Sequence, residues 1–218
     1  MGSIDRRIGE LAGRQHGVVS RPQLLALGLG EDAIDHRARL ARLHVIHPGV
    51  YAVGHRVLTQ RGRWIAAVLA AGEGAVLSHH SAGALWGLLP PTRMLELTSP
   101  SQVRRPGIRA HQSHLPADET ATEDGIPVTT VARTLLDLAA VVDPRRLERA
   151  LEEADKKRLD EALSLPDLIR RYPGRRGVAR ARLVLARFVP GATLTRSELE
   201  ERFLSFLDER ELPCRARG

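Results

Sequence analysis

Apolar residues recur at Ile4, Ile8, Leu11 and Ala12, an i, i+4, i+7, i+8 stripe that predicts an amphipathic helix closing near His16 and Gly17. Ser20 and Gln23 then stand at capping-box spacing, and Leu24, Leu25 and Leu27 give the short helix they open an apolar side before Gly28 breaks it. Pro22 is tolerated because a first-turn amide has no acceptor inside the helix to lose. Across 31–42 the pattern is helical again, with Ala33, Ile34, Ala38 and Leu40 inward and Asp32, Asp35, His36, Arg37 and Arg39 outward. Two β-type runs, 43–46 and 50–53, flank His47, Pro48 and Gly49 and predict a hairpin. Three helices followed by a hairpin are the order of a winged helix-turn-helix, which places a first domain at 1–57.

Further along, Trp64, Ile65, Val68 and Leu69 mark one face of a helix over 58–71 that Gly72 stops. Short strands are predicted at 75–77, 94–98, 107–112 and 125–129, with a helix at 79–86 for which Ser78 is a candidate cap. Thr130 caps a helix carrying Val131, Leu135, Leu136 and Leu138; Asp143 and Pro144 open another to about 158, Ser164 a third, and 177–188 a fourth. The reading is an α+β chain: a winged helix-turn-helix, then a mostly helical domain with a small sheet at 58–190. Thr195 and Glu198 repeat the capping-box spacing ahead of Leu199, Phe203, Leu204, Phe206 and Leu207, which sets 191–218 apart as a third segment.

Charge gives these elements a direction. The net charge is +7 and the isoelectric point about 10.7, nearly all from arginine, since Lys156 and Lys157 are the only lysines. Arginine suits planar, bidentate contact with phosphate and guanine, so double-stranded DNA is the first partner to test. The third helix then enters the major groove with Arg37 and Arg39 as the leading contacts and His36 beside them. Arg42, His44, His47 and Arg56 approach the backbone on or near the wing, and Arg21 is a further candidate DNA contact. Glu31, Asp32 and Asp35 oppose this by repelling phosphate, although they suit the positive end of the helix dipole and can accept from a cytosine amine. A winged helix that binds protein, its arginines merely solvated, is the alternative. A second basic surface is formed by Arg170, Arg171, Arg175, Arg176, Arg180 and Arg182, in a stretch from 168 to 196 that holds no acid. It either tracks phosphates or pairs with the acids at 152, 153, 155, 160 and 161.

One cysteine, Cys214, leaves no internal disulfide, and no apolar run reaches the length of a membrane helix, so a cytoplasmic protein is expected. Neither a nucleophile elbow, a phosphate-binding glycine loop nor a His-Glu-x-x-His zinc motif is present. His79 and His80 adjoin Ser78 and Ser81, but neighbours in a helix face different ways and no orienting acid lies nearby in sequence, so they read as packing or capping residues. His111 and His114 lack companions at metal spacing. No catalytic residue, metal or cofactor is expected.

The runs HGVVSRPQLLALGL, RLHVIHPGVYAVG, SHHSAGALWGLLP and GIPVTTVARTLLDLA, taken in order, resemble the AbiEi-family antitoxins of type IV toxin–antitoxin systems in their actinobacterial variety, over about 3–190. The resemblance implies a winged helix-turn-helix that binds inverted repeats in its own promoter and represses it, as a monomer in solution or a dimer on DNA. It also implies a downstream domain that antagonises a nucleotidyltransferase-like toxin without a stable complex being required. The run LTRSELEERFLSFLDERELP is similar to the opening helix of a very-short-patch-repair-like endonuclease domain, where Glu200 would be the acid it contributes. The acid-x-Lys core that should follow is absent from the chain, so the resemblance is to a fusion with its nuclease cut off, a second alternative for function.

Overall fold

The capping box at Ser20 forms as its spacing requires: the Ser20 side chain accepts from the Gln23 amide, and the Gln23 side chain accepts from the Ser20 amide at 2.9 Å. In the computed structural model, which describes residues 4–159 and 164–187, this box starts the second of three helices in the N-terminal unit. They are α1 (Ile4–Arg14), α2 (Arg21–Ala26) and α3 (Glu31–Arg39). The helix read as running to 42 stops at Arg39, because Ala41 takes a positive φ of 56° and turns the chain into the next strand.

Three strands form an antiparallel sheet in the order β1-β3-β2, with β1 at Val18–Ser20, β2 at Leu43–His47 and β3 at Val50–Val53. The hairpin β2–β3 matches the sequence reading; β1 does not appear in it. Its two valines face opposite ways, as strand neighbours must. Val19 joins Ile8, Leu24, Ile34 and Tyr51 in the core of the N-terminal unit, while Val18 joins a second cluster with Trp64, Ile65, Val68, Leu77, Ile126 and Val128. Through Val18 and Val50, the apolar core therefore continues past residue 57 into α4 (Gln60–Ala71), which Thr59 caps.

The second unit is a mixed five-stranded sheet, β6-β5-β4-β8-β7, built from β4 (Val76–Leu77), β5 (Leu95–Ser99), β6 (Ile108–Gln112), β7 (Thr120–Glu123) and β8 (Ile126–Thr129). One face of β5 and β6, with Leu97 and Ile108, packs on Ala67 of α4. The other face of β5 lies toward α5 (His79–Leu85), which packs in turn on α6 (Val131–Val141). A third cluster joins α6 to α7 (Pro144–Lys156), α8 (Leu165–Arg171) and α9 (Val178–Arg187) around Leu136, Leu138, Leu147, Leu168 and Val184. The fold is α+β. Glu200 and the whole of 191–218 apart from the sequence lie outside the described residues.

At one point α6 and the start of α9 approach so closely that only glycine fits. Gly177 has a φ of +94°, and a Cβ there would sit 2.5 Å from the Ala140 amide nitrogen and 2.7 Å from the Ala139 carbonyl carbon. Gly177→Ala is expected to destabilise the protein by about 3 kcal/mol, combining overpacking with an unfavourable φ. Urea unfolding checks this; an unchanged midpoint would refute the close approach.

Candidate nucleic-acid interface

Because α3 has 3.6 residues per turn, Arg37 and Arg39 point about 200° apart, and only one of them can share a face with the outward set. Arg39 is exposed, as are Glu31, Asp32, Asp35 and His36. Arg37 is not: its guanidinium bonds Asp5 of α1 at 3.0 Å and the Ala33 carbonyl at 3.4 Å, leaving the side chain 18% exposed. Arg37 thus braces α3 against α1, which corrects its reading as a leading contact.

Arg21 is also drawn inward. Its guanidinium donates to Asp35 at 2.8 Å, to the Tyr51 hydroxyl at 3.2 Å and to Glu31 at 3.3 Å, so its donors are engaged within the protein. The hydrogen bond to Asp35 and then that to Tyr51 raise the Arg21 pKa, and the same bond from Arg21 holds the Asp35 carboxyl below its usual range.

The remaining predicted cations group around the hairpin. Arg42 and Arg56 are exposed near its base, where His44 lies 3.4 Å from the Gly54 carbonyl and the Gly54 amide donates to the Arg42 carbonyl at 3.1 Å. His47, at the end of β2, is held below the ordinary histidine range by burial and by the nearby Arg105 charge. It lines a cleft of about 600 Å³ together with Ile46, Gln60, Arg63 and Arg93. The basic flank of the hairpin is therefore continuous with residues of the second unit, a feature that sequence spacing gives no means of finding.

On the α5 side of the large sheet lies a different site. Glu96, 3% exposed, is bonded by the His80 ring at 2.7 Å, the His80 amide at 3.1 Å and Arg109 at 3.3 Å, with His111 at 3.8 Å. Glu96 is the orienting acid for His80 that the sequence reading found missing; it stands sixteen residues away, on β5. His79 stacks on His111 with ring centroids 3.7 Å apart, and its Nδ1 lies 2.9 Å from the Ser78 hydroxyl. Ser78 accordingly makes no side-chain cap bond to α5.

Next to it is a buried ion network. Arg133, 1% exposed, pairs with Glu119 and, at 3.0 Å, with Asp137; both carboxylates are fully buried. Among the described residues no group of three or more His, Cys, Asp or Glu is arranged to hold a metal ion.

The family described as AbiEi antitoxin C-terminal domain matches residues 65–186, more than half of the chain. The chain belongs to this family. The AbiEi domain is thereby an antitoxin domain of toxin–antitoxin systems, and it contains both the Glu96 site and the Arg133 network. Among solved structures, the chain is similar to the RV2827C protein from Mycobacterium tuberculosis, with 16% identity, 94% of each chain covered and a TM-score of 0.39. No curated protein matches the chain. No helix among the described residues is long and apolar enough to cross a membrane.

Within the AbiEi domain the predicted basic surface is largely tied down, but not to the acids foreseen. Arg171 pairs with Asp118 at 2.6 Å and Glu119 at 2.9 Å, Arg175 with Asp137 at 2.9 Å, and Arg170 with Asp167. Arg180 donates to the carbonyls of Ala139 and Val142, and the Nε of Arg182 is buried without a hydrogen-bond partner. Arg176 is exposed. Glu153 pairs with Lys156 instead, and 160 and 161 lie outside the described residues. The network forms because the 117–119 turn and α6 lie beside α8 and the start of α9.

The histidine stack of the AbiEi domain makes it sensitive to acid. Burial pushes His79 down to about 4, so the folded state refuses a proton that the unfolded chain takes near 6.5. Its contribution is complete above pH 6.5 and is lost as pH falls toward 4, about 2 kcal/mol of it by pH 5. Burial alone would raise Glu96, but the His111 ring at 3.8 Å and the hydrogen bonds from His80 hold it far below the usual carboxylate range, so further stability goes below pH 4.5. Because His79 has a φ of +51°, which Asn tolerates, His79→Asn is expected to flatten the stability profile between pH 6.5 and 5. Urea titrations at several pH values test it; an unflattened profile would show that another group titrates there.

Proposed function

We propose that the N-terminal unit is a winged helix-turn-helix that binds double-stranded DNA, with α3 in the major groove and the β2–β3 hairpin against the backbone. The observation that carries this is the placement of exposed cations. Arg39 on α3, Arg42 and Arg56 at the hairpin base, and Arg63 and Arg93 in the cleft beside His47 supply one basic path across both units. On this reading the chain represses its own promoter by binding inverted repeats, as a monomer in solution that pairs on DNA. The AbiEi domain serves as antitoxin against a nucleotidyltransferase-like toxin of a type IV system. Support for the antitoxin half is the family match; support for the repressor half is the geometry of α3 and the hairpin. The endonuclease-like run beyond 191 has no such support, since the family match ends at residue 186.

A reporter placed behind the DNA upstream of the gene tests the repressor role. Expression of the protein should lower reporter output, and unchanged output would refute autorepression. A protein-binding role for the same unit draws on Leu40 and Val45, apolar side chains 53% and 54% exposed beside α3 and on β2. It predicts no difference between the upstream DNA and a scrambled duplex.

A further inference from the structure

The first turns of α3 carry Glu31, Asp32 and Asp35, all exposed. Carboxylates suit the positive end of a helix, but at a DNA-facing helix each of them repels phosphate. The fold deals with two of the three. Arg21, the first residue of α2, is anchored by its amide to the Gly49 carbonyl of the hairpin turn at 2.7 Å. Its guanidinium reaches across to Asp35 and Glu31, with Tyr51 of β3 as its third partner. Arg21 is 26% exposed where its acidic partners are 58% and 71% exposed, so the cation sits beneath the carboxylates and draws them toward the body of the unit.

The outward residues that Arg21 does not hold are Asp32, His36 and Arg39. They stand at i, i+4 and i+7, a single stripe on the helix. None of the three forms a salt bridge among the described residues, although Arg39 stands near enough to Asp35 for its charge to help hold that carboxyl low. Asp32 and Arg39 are seven residues apart, or about 10 Å along the helix, the rise of about three base pairs. A carboxylate accepts from the cytosine amine, and a guanidinium donates to guanine O6 and N7.

We propose that Arg21 is a positioning residue that holds Glu31 and Asp35 out of the DNA-facing set, leaving Asp32 and Arg39 to read a cytosine and a guanine about three base pairs apart. This rests on α3 being the DNA-facing helix. His36, between them, meets the intervening step.

Selection from a library of randomised duplexes tests both claims together. The wild-type protein is expected to enrich a site with a C and a G at that spacing. Asp32→Ala should flatten the cytosine position and Arg39→Ala the guanine position, each by about tenfold. Arg21→Ala should lower affinity for the enriched site about tenfold by freeing two carboxylates toward phosphate. Adding Glu31→Gln and Asp35→Asn to Arg21→Ala should restore it. A purely structural role for Arg21 would not be rescued this way, because the two substitutions do not rebuild the brace. Thermal melts identify any variant that fails to fold, and Asp32→Ala, at an exposed position, keeps the reading set testable if Arg21→Ala unfolds. If the wild type enriches a site that Asp32→Ala and the Arg21 series leave unchanged, this inference is overturned while DNA binding stands. If the wild type enriches nothing, the DNA reading itself fails.

Discussion

Arg133→Ala is expected to destabilise the AbiEi domain by about 3–5 kcal/mol, the largest effect of any single change considered. The substitution leaves Glu119 and Asp137 fully buried without their shared cation. Arg171 and Arg175 would remain on these carboxylates, but they are 37% and 32% exposed and approach from the rim. In a chain of this size such a loss lowers the melting temperature by about 6–11 °C. Burial opposes the charge of Arg133, yet the coupling to Asp137 and Glu119 still raises its pKa, so the cation is never given up at working pH. Replacing all three charges, as Arg133→Met with Glu119→Gln and Asp137→Asn, should recover much of the stability, because a buried ion group resists the loss of one member more than removal of the whole. Equal destabilisation by the single and triple variants would show that shape, not charge, is what the site requires. Calorimetric melts of both decide it.

The second large effect is on DNA. Removing Arg39 at the end of α3 together with Arg42 at the hairpin base, as Arg39→Ala with Arg42→Ala, is expected to weaken binding to the preferred duplex by about 10- to 100-fold through one base-edge contact and one phosphate contact. The salt slope should flatten by about 0.9 for the phosphate contact. Arg37→Ala gives the contrast, since Arg37 is spent on Asp5 and Ala33. Its pair with Asp5 is partly solvated and is worth at most about 1 kcal/mol. Sequence preference should therefore survive Arg37→Ala and be lost in the Arg39/Arg42 pair; the reverse order would mean that α3 docks by another face.

Much of the fold was legible wherever one residue type decides a local geometry. Ser20 with Gln23, Thr130, and Asp143 before Pro144 all start helices where their side chains can accept a first-turn amide. Strand β1 was not legible, because three residues are too few to show a period and Val18 and Val19 serve two different cores. Neither was β7, a four-residue run, Thr120–Glu123, at the sheet edge with no fully buried residue.

The sites divide along the same line. Outward positions on α3 follow from helical period, so the exposure of Arg39 and His36 was legible, but the period alone does not say that Arg37 finds Asp5 on another helix. Glu96, His80 and His111 come from β5, α5 and β6, and only the register that sets Thr98 beside His111 brings them together. The arginines of 170–182 were visible as a block; their partners Asp118, Glu119 and Asp137 were not, because they lie 38–53 residues back in the chain.

Fluorescence anisotropy of the full chain across a salt series decides whether α3 and the hairpin read duplex DNA. The probes are a duplex of the DNA upstream of the gene and a scrambled duplex of the same composition. Clear preference for the upstream duplex is expected, with log affinity falling by about 0.9 per phosphate contact per decade of salt. Equal, weak binding to both duplexes would contradict it.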